Sequence, residues 1–397
     1  MNYLQRSQEL KEYTVANRRA IHSNPELGVE TPETSSYIRE KLIELGIEPK
    51  SCGKHGITAL IGKNETGPVV MLRADIDALP MTEESGLPFA SKNQGKAHCC
   101  GHDNHAAMLL TAARMLKENE EALPGRIKLM FQPGEETGNG CLEMIASGIL
   151  ENPAPSALIG MHVDAAAPLC QINWGWGPTF CSNDVFILTV KGLSCHGARP
   201  HQGKDAINCA AHLILALEAL IAREADPSET DILTVCSIES NSKAFNIFPE
   251  SIILKGSLRT YNNSQRQYLL ERMKEVCEYT AKSFRCTCEI EWEASMNAVI
   301  LDDDVQATVK SCLQEALGDE IQFAVNPTRK MGSDDIAAIT SLVPSGYFFI
   351  GAGIDRNTPY SCGQHNSKVV FNEGCLPVGA AGIAAAAEGL LKKLAKK

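Results

Sequence analysis

Residues His98 to His105 hold more potential metal-binding side chains than any other stretch of this length in the sequence. Cys100 and His102 stand on either side of Gly101, so both side chains can point the same way in an extended or turning segment. A thiolate and an imidazole that converge in this way suit zinc or a neighbouring transition metal. A loop with buried cysteines and surface histidines would look the same, so the metal interpretation depends on complementary ligands elsewhere.

Such ligands appear where apolar, strand-like runs end. Asp75 closes one run, Glu135 and Glu136 follow a second, and His162 lies near the end of a third. Molecules and ions that bind to open α/β sheets lie beyond the carboxyl ends of the strands. We therefore expect these side chains to meet at one edge of a sheet. With His365 far downstream, the candidate metal ligands are Cys100, His102, Glu136, His162 and His365.

Five ligands are enough to hold two divalent ions if one ligand bridges them. Paired ions polarise a carbonyl group and lower the pKa of a shared water, and a carboxylate is the usual agent that moves the proton to a leaving amine. Glu135 beside Glu136 fits a division into general base and ligand. Neighbouring acidic residues on a loop are ordinarily only solvated, so this pair is persuasive only together with the other ligands.

Strands and helices alternate on both sides of these residues, which predicts an α/β domain: a mixed or parallel sheet with helices on both faces. From Asp184 onward the predicted order of elements changes to strand–helix–strand–strand–helix–strand, which is the ferredoxin-like α+β order. We therefore expect a catalytic metal-binding domain in residues 1–182 and 295–397, interrupted by an inserted lid and dimerisation domain in residues 183–294.

Composition narrows the class of protein further. The net charge of −11 over 397 residues argues against a nucleic-acid partner. Fifteen cysteines, scattered and odd in number, fit reduced thiols in a cytoplasm better than a disulfide framework. We also expect no signal peptide, no stretch able to span a bilayer and no membrane partner. The edge strands of the inserted sheet predict at least a homodimer.

The chain resembles the dinuclear metallopeptidase family of aminoacylases, hippurate hydrolases and plant auxin-conjugate (indole-acetyl-amino-acid) hydrolases. The similarity covers nearly the whole sequence. The motifs that carry it are His22 to Gly28, Arg73 to Pro80, Cys100 to Asp103, Phe131 to Glu136, Gly160 to His162, His196 to His201, and His365 to Ser367 with Asn372-Glu373 and Leu376-Pro377 behind it.

This resemblance implies a role for each candidate residue. Cys100, the bridging thiolate, would share the metal ions with the four other ligands, and Glu135 would be the general base. His196, Asn246 and Arg259 of the inserted domain would contact the substrate. Asp75 and Asp77 would orient the ligands, although strand-end carboxylates that only cap the next segment would have the same sequence.

Three positions depart from the family pattern, and one of them follows His365, where the usual Ser-Pro or His-Pro becomes Asn366-Ser367. Cys195 stands where the family commonly has glycine before the lid histidine. Asp334 replaces a glutamate, and because its side chain is one methylene shorter, a carboxylate contact there is expected to be lost or bridged by water. None of these departures removes a ligand or the base, but they leave the substrate preference open.

We therefore expect a cytoplasmic, metal-dependent amidohydrolase that cleaves N-acyl amino acids or related small amides, using two divalent ions (Zn, Mn, Co or Ni). The main alternative is a dipeptidase or an N-acetyl-diaminopimelate-type deacetylase on the same scaffold. A non-catalytic metal-binding descendant would have no need of Glu135 beside a ligand. A redox or metal-buffering protein would instead use its many thiols, which titration of the accessible cysteines would reveal.

Overall fold

The computed structural model describes residues 1–326, 329–354 and 362–396. The chain divides into two compact units, and the second interrupts the first. Unit 1 comprises Met1–Gly177, Ile300–Arg329 and Asp334–Lys397, and unit 2 comprises Pro178–Val299 and Lys330–Ser333. The role of the inserted segment as a lid and dimerisation domain, with the boundaries expected above, stays a prediction.

The four longest strands, of nine or ten residues, are β8 to β11 of unit 2. In chain order they are β1 (Pro49–Ser51), β2 (Ile57–Ile61), β3 (Val69–Asp75), β4 (Arg126–Gln132), β5 (Ala157–Asp164), β6 (Gln171–Trp174), β7 (Pro178–Phe180), β8 (Asn183–Lys191), β9 (Asp231–Ser240), β10 (Ser251–Thr260), β11 (Thr287–Met296), β12 (Val299–Ile300), β13 (Gln322–Phe323) and β14 (Ser345–Gly351).

The helices connect these strands. They are α1 (Tyr3–Glu9), α2 (Lys11–His22), α3 (Pro32–Glu44), α4 (His102–Glu118), α5 (Gly140–Ala146), α6 (Ala206–Arg223), α7 (Asn263–Ser283), α8 (Asp303–Leu317), α9 (Ala337–Thr340) and α10 (Cys375–Leu394).

Unit 1 is built on an eight-stranded sheet in the order β1-β2-β4-β3-β5-β14-β6-β13. Its centre is parallel, because β3 pairs in parallel with β4 and β5, and β5 with β14. The flanking pairs β2–β4 and β14–β6 are antiparallel. Every residue of β3 is buried, as expected for a strand covered on both faces. The predicted α/β class with a mixed sheet is confirmed.

Helices α4 and α10 both pack against β3 and β5 and against each other. Small residues on α10 allow this close approach: a Cβ atom at Gly379 would lie 2.2 Å from Sδ of Met108 on α4. Contrary to the expectation from sequence, α6 and α10 are long and apolar enough to cross a membrane by length and composition. Within unit 1, however, 89% of the most apolar window of α10 is buried, as in a core helix.

Unit 2 has the strand–helix order β8-α6-β9-β10-α7-β11, and its sheet runs β11-β8-β10-β9 with antiparallel pairs throughout. This is the predicted ferredoxin-like α+β arrangement. Arg266 on α7 binds Asp184 at the start of β8 through two hydrogen bonds of 2.7 and 2.6 Å. The outermost strand β9 is mostly exposed or only partly buried.

Candidate metal centre

Three neighbouring strands deliver the acidic and imidazole side chains to one edge of the unit 1 sheet. Asp75 is the last residue of β3, Glu135 and Glu136 lie in the turn after β4, and His162 lies near the end of β5. Since β4, β3 and β5 are adjacent in the sheet, their carboxyl ends bring these side chains together, as the sequence predicts.

Gly101 places Cys100 and His102 at this edge. It caps the N-terminus of α4 with a left-handed φ of 105°, a conformation that favours glycine. A Cβ atom at this position would also lie 2.4 Å from Cγ2 of Val163 on β5. The chain can therefore turn tightly against β5 between the two candidate ligands only because this residue has no side chain.

The five predicted metal ligands form two overlapping clusters. The ligand atoms of Cys100, His102 and His162 lie within 4.8 Å of one another, and so do those of Cys100, Glu136 and His365. The Sγ atom of Cys100 is 3.4 Å from Nε2 of His162, and Nε2 of His365 is 3.5 Å from Oε1 of Glu136. Cys100 belongs to both clusters, which is the arrangement that a ligand shared between two ions requires.

Two ligand atoms support the presence of a cation here. Nε2 of His102 and Oε1 of Glu136 are buried and have no hydrogen-bond partner, a state that is unfavourable for polar atoms. Burial alone would lower the pKa of His102, but the charges of Asp75 and Cys100 raise it well above its usual value. A divalent cation would satisfy both unpaired atoms and offset this negative charge, and a set of thiolate, imidazole and carboxylate ligands fits zinc and its neighbours.

Asp77 orients His102 and the turn that carries Glu135 and Glu136. Its Oδ1 atom lies 3.3 Å from Nδ1 of His102 and accepts the backbone N–H of Glu135 at 3.2 Å. Its Oδ2 atom accepts the backbone N–H of Glu136 at 3.1 Å. A proton held on Nδ1 of His102 leaves Nε2 as the electron-pair donor, which is the usual effect of such a carboxylate.

A backbone carbonyl group holds the proton on Nδ1 of His162, as Asp77 does for His102. Its Nδ1 atom lies 2.6 Å from the carbonyl oxygen of Val163, to which it donates. Burial, together with the nearby His105 ring, lowers the pKa of His162 well below its usual value. The ring is therefore neutral, with an electron pair on the Nε2 atom that faces Cys100.

His105 is a residue whose part in the site the sequence analysis missed. Its Nδ1 atom contacts Asp75, and its Nε2 atom accepts the backbone N–H of Val163 at 2.9 Å. Both nitrogen atoms are thus engaged, and this histidine joins β3 to β5. Its position one turn after His102 on α4 was the available signal, since residues three apart share a helix face.

Arg73 is the second residue that the sequence analysis did not single out. Its buried guanidinium binds Asp75 at 2.7 Å, Gln132 at 2.8 Å, Asp334 at 3.0 Å and Asp335 at 3.2 Å. Although burial would raise the pKa of Asp75, Arg73 and the histidines lower it well below its usual range. Asp75 is therefore a charged group in the centre of a network of polar side chains.

The expectation that Asp334 loses a carboxylate contact is wrong. Its side chain binds Arg73 directly and accepts a hydrogen bond from the hydroxyl of Tyr347 at 3.0 Å. The shorter side chain reaches these partners because Arg73 extends from β3 to meet it. Asp334 thus belongs to the buried network that lies beside Glu135.

Glu135 lies between this network and the candidate ligands. Its Oε2 atom is 3.8 Å from Nε2 of His102, and its carboxylate lies within 4.8 Å of those of Asp334 and Asp335. Burial raises its pKa well above the usual value, and the charges of Asp334 and Asp335 act in the same direction. A carboxylate with increased proton affinity beside candidate metal ligands has the properties of a general base.

The predicted substrate-binding residues lie in unit 2. His196 is exposed, its Nδ1 atom accepts the N–H of Ala198 at 3.0 Å, and its loop pairs with the segment that carries Asn246. Arg259 is partly buried on β10 and donates to the carbonyl oxygen of Met331 at 3.1 Å. Their contacts with a substrate stay predictions.

Comparisons with known proteins agree with this geometry. Residues 71–389 match the profile of Peptidase family M20/M25/M40. The chain is 34% identical to the N-acetyl-L-cysteine deacetylase of Bacillus subtilis strain 168 over 349 residues, which cover 88% of this chain and 82% of that protein. It is also 34% identical to the IAA-amino acid hydrolase ILR1-like 4 of Arabidopsis thaliana over 375 residues, 93% of this chain and 83% of the relative.

Among solved structures, the YXEP protein of Bacillus subtilis is described as a dinuclear metal binding peptidase from the M20 family. It superposes with a TM-score of 0.81 at 28% sequence identity, covering 97% of this chain and 99% of that chain. The family profile covers well over half of the present sequence, and the resemblance inferred from its motifs is confirmed. The chain belongs to peptidase family M20/M25/M40 and is a metal-dependent hydrolase of amide bonds.

Proposed function

We propose that the protein hydrolyses N-acyl amino acids, releasing a carboxylic acid and an amino acid. The observation that carries this proposal is the position of Glu135, a partly buried carboxylate of raised pKa whose Oε2 atom lies 3.8 Å from Nε2 of His102, an atom without a hydrogen-bond partner. The substrate class is supported by relatives whose names describe an N-acetyl-L-cysteine deacetylase and an IAA-amino acid hydrolase.

Two divalent ions, chosen from Zn, Mn, Co and Ni, would be held by the two clusters that share Cys100. Such ions polarise a substrate carbonyl and make a water acidic enough to lose a proton near neutral pH. The buried, unpaired ligand atoms of His102 and Glu136 support this assignment. Asp77 would keep His102 and the Glu135–Glu136 turn in place, through the hydrogen bonds described above.

Glu135 would move the proton. Its carboxylate would accept a proton from the attacking water and deliver it to the leaving nitrogen, since general bases work best when their pKa approaches the operating pH. The neighbouring charges of Asp334 and Asp335 raise its proton affinity. Arg73 would hold those two carboxylates in place, because it binds both of them.

Residues of unit 2 would bind the rest of the substrate. A guanidinium binds a carboxylate through two parallel hydrogen bonds, so we assign the amino-acid carboxylate to Arg259, with Asn246 beside it. His196 would donate a hydrogen bond to the developing oxyanion. These three roles rest on the family motifs at His196 to His201 and on the amino-acid nature of the proposed product.

The protein would act in the cytoplasm as a homodimer. Its fifteen cysteines, many of them buried, suit a reducing compartment. Strand β9 at the edge of the unit 2 sheet exposes Ile232 and Ile238 at 41% and 58%, and an exposed edge strand with apolar side chains favours pairing with a second copy. Light scattering that gives the monomer mass of 43.0 kDa at working concentration would contradict the dimer.

Substrate assays test the proposed function directly. The purified chain is loaded in turn with Zn, Mn, Co or Ni and assayed against matched N-acetyl amino acids, dipeptides and N-acetyl-diaminopimelate, with release of the free amine as the signal. Higher kcat/KM on N-acyl amino acids than on dipeptides supports the proposal. Preference for dipeptides or for N-acetyl-diaminopimelate would establish the alternative on the same scaffold. The Glu135→Gln variant controls for contaminating hydrolases.

A further inference from the structure

His365 is the most exposed of the five candidate metal ligands. Its side chain is 55% exposed, whereas the other four ligands are buried or partly buried. Its backbone also has a left-handed φ of 59°, a conformation that residues with a Cβ atom adopt rarely and that persists only where surrounding contacts impose it. Side-chain packing does little to hold this ring, so hydrogen bonds must keep it in position for a metal ion.

Two hydrogen bonds attach the chain at His365 to the rest of the metal centre. The backbone N–H of His365 donates to the carbonyl oxygen of Cys99 at 3.0 Å, next to the ligand Cys100. The side chain of Gln364 donates through Nε2 to the carbonyl oxygen of Val163 at 2.6 Å, near the end of β5. The second bond comes from a side chain, so a single substitution can remove it.

The carbonyl oxygen of Val163 serves both ligand clusters. It accepts Nδ1 of His162 at 2.6 Å as well as Nε2 of Gln364, and a carbonyl oxygen has two lone pairs for two such donors. His162 belongs to one of the two clusters that share Cys100, and His365 belongs to the other. One backbone atom thus orients a ligand of the first cluster directly and the segment that carries His365 through Gln364.

The segment after His365 is anchored independently of Gln364. The Oγ atom of Ser367 donates to Oε2 of Glu84 at 2.7 Å, and the backbone N–H of Glu84 donates to the carbonyl oxygen of Ser367 at 2.7 Å. Loss of the Gln364 contact should therefore leave this segment folded and release only the residues next to His365.

We propose that Gln364 is a positioning residue that fixes His365 as a metal ligand. The ion affected is the one in the cluster of Cys100, Glu136 and His365. This role rests on the ligand set proposed above. Gln364 acts through its neighbour, whose Nε2 atom lies 3.5 Å from Oε1 of Glu136. The hydrogen bond of His162 does not involve Gln364, so the other ion keeps its ligands.

Zinc titration of the full-length protein tests this role. The protein is freed of metal, and Zn²⁺ is added in competition with a fluorescent chelator, which gives the dissociation constant of each of the two ions. The variants His162→Ala and His365→Ala identify which constant belongs to which cluster. The test variant is Gln364→Met, which keeps the length of the side chain and removes the hydrogen-bond donor.

Gln364→Met is expected to weaken the binding of one ion by about 10- to 100-fold, as loss of a contact that orients a ligand does. This should be the ion that His365→Ala also weakens, and the other ion should keep its wild-type affinity. Combined with His365→Ala, the Gln364 substitution should have no further effect, because it acts only through that ligand. A general structural role would instead lower the affinity further in the double variant.

Asn366→Ser is the matched control. Asn366 is the neighbour on the other side of His365, and its Oδ1 atom accepts the backbone N–H of Lys368 at 2.9 Å, a turn contact that serine can also make. Both zinc affinities should be unchanged. Circular dichroism verifies that each variant folds. Gln364→Glu, which has the same shape but presents an oxygen to the carbonyl group of Val163, replaces Gln364→Met if that variant does not fold.

Wild-type affinity for both ions in folded Gln364→Met, with one ion weakened in His365→Ala, would overturn the proposal and leave the ligand set intact. Equal weakening of both ions by Gln364→Met, or an additional loss in the double variant, would also overturn it. Two ions held as tightly by His365→Ala as by the wild type would contradict the ligand set and, with it, the role of Gln364.

Discussion

The carboxylate of Asp77 lies 3.3 Å from Nδ1 of His102, on the side of the imidazole ring opposite the unpaired Nε2 atom. The same carboxylate accepts the backbone N–H groups of Glu135 and Glu136. One buried side chain therefore sets both the donor atom of a candidate ligand and the position of the turn that carries the proposed base. A strand-end carboxylate that only capped the next segment would not contact His102.

Replacement of Asp77 should weaken metal binding without unfolding unit 1. In Asp77→Asn an NH2 group replaces one of the two carboxylate oxygens. This group repels one of the three N–H groups from which the carboxylate accepts hydrogen bonds. Loss of such supporting contacts typically lowers metal affinity by about 10- to 100-fold. Competition with a fluorescent chelator measures the change. Wild-type affinity in a correctly folded variant would show that Asp77 does not orient His102.

Cys100 should be indispensable for metal loading, because it belongs to both ligand clusters. Cys100→Ala is expected to lose most of its metal and its turnover. Cys99→Ala is the matched control, since Cys99 is the adjacent buried cysteine but is not part of either cluster. Elemental analysis of both variants after identical loading is the measurement. Full occupancy in Cys100→Ala would remove this residue from the ligand set.

Much of this centre is predictable from sequence because strand ends can be located from apolar runs. The runs that end at Asp75, Phe131 and Val163 are adjacent strands of the parallel part of the sheet, so their terminal side chains meet. Helix α4 begins at His102, which places this ligand in the first turn of the helix.

The buried network around Arg73 was not predictable in the same way. Its partners Asp334 and Asp335 are 261 and 262 residues away in the chain, and no local pattern brings them to β3. His105 has the same difficulty, because its contacts with Asp75 and Val163 depend on how α4 packs against β3 and β5. Contacts of this kind follow from tertiary packing, which one sequence does not reveal.

Arg259 and His196 should affect different kinetic parameters. Arg259→Ala is expected to raise KM for substrates with a free carboxylate and to spare the same substrates with an amidated carboxylate, since only the former can pair with a guanidinium. His196→Ala should mainly lower kcat, by about 10²- to 10³-fold, because an oxyanion contact forms in the transition state. Neither variant should change metal content. An equal effect of Arg259→Ala on both substrate forms would exclude the carboxylate contact.

His22 should make stability depend on pH above neutrality. Its Nδ1 atom lies 2.8 Å from Asp103, and its Nε2 atom lies 3.2 Å from Glu83. Burial opposes the charged form, but Asp103 and Glu83 raise the pKa of His22 to about 9 from the usual 6.5. A raised pKa in the folded state stabilises the protein fully below pH 6.5, and this contribution is lost as the pH rises to about 9.

The free energy of unfolding should therefore decrease by up to about 3 kcal/mol between pH 6.5 and 9 through this residue. Urea unfolding of the wild type and of His22→Gln at both pH values measures the difference. The glutamine variant should be less stable at pH 6.5 and show a smaller decrease. Parallel decreases in the two proteins would show that His22 is not protonated in the folded state.

The division of roles between Glu135 and Glu136 is the central claim, and a comparison of Glu135→Gln with Glu136→Gln tests it most directly. Metal content by elemental analysis and kcat on an N-acyl amino acid are measured for both after identical loading. We expect Glu135→Gln to retain its metal while kcat falls by about 10²- to 10⁴-fold, and Glu136→Gln to lose metal. Two variants that lose metal to the same extent, or a Glu135→Gln variant with wild-type kcat, would contradict the assignment.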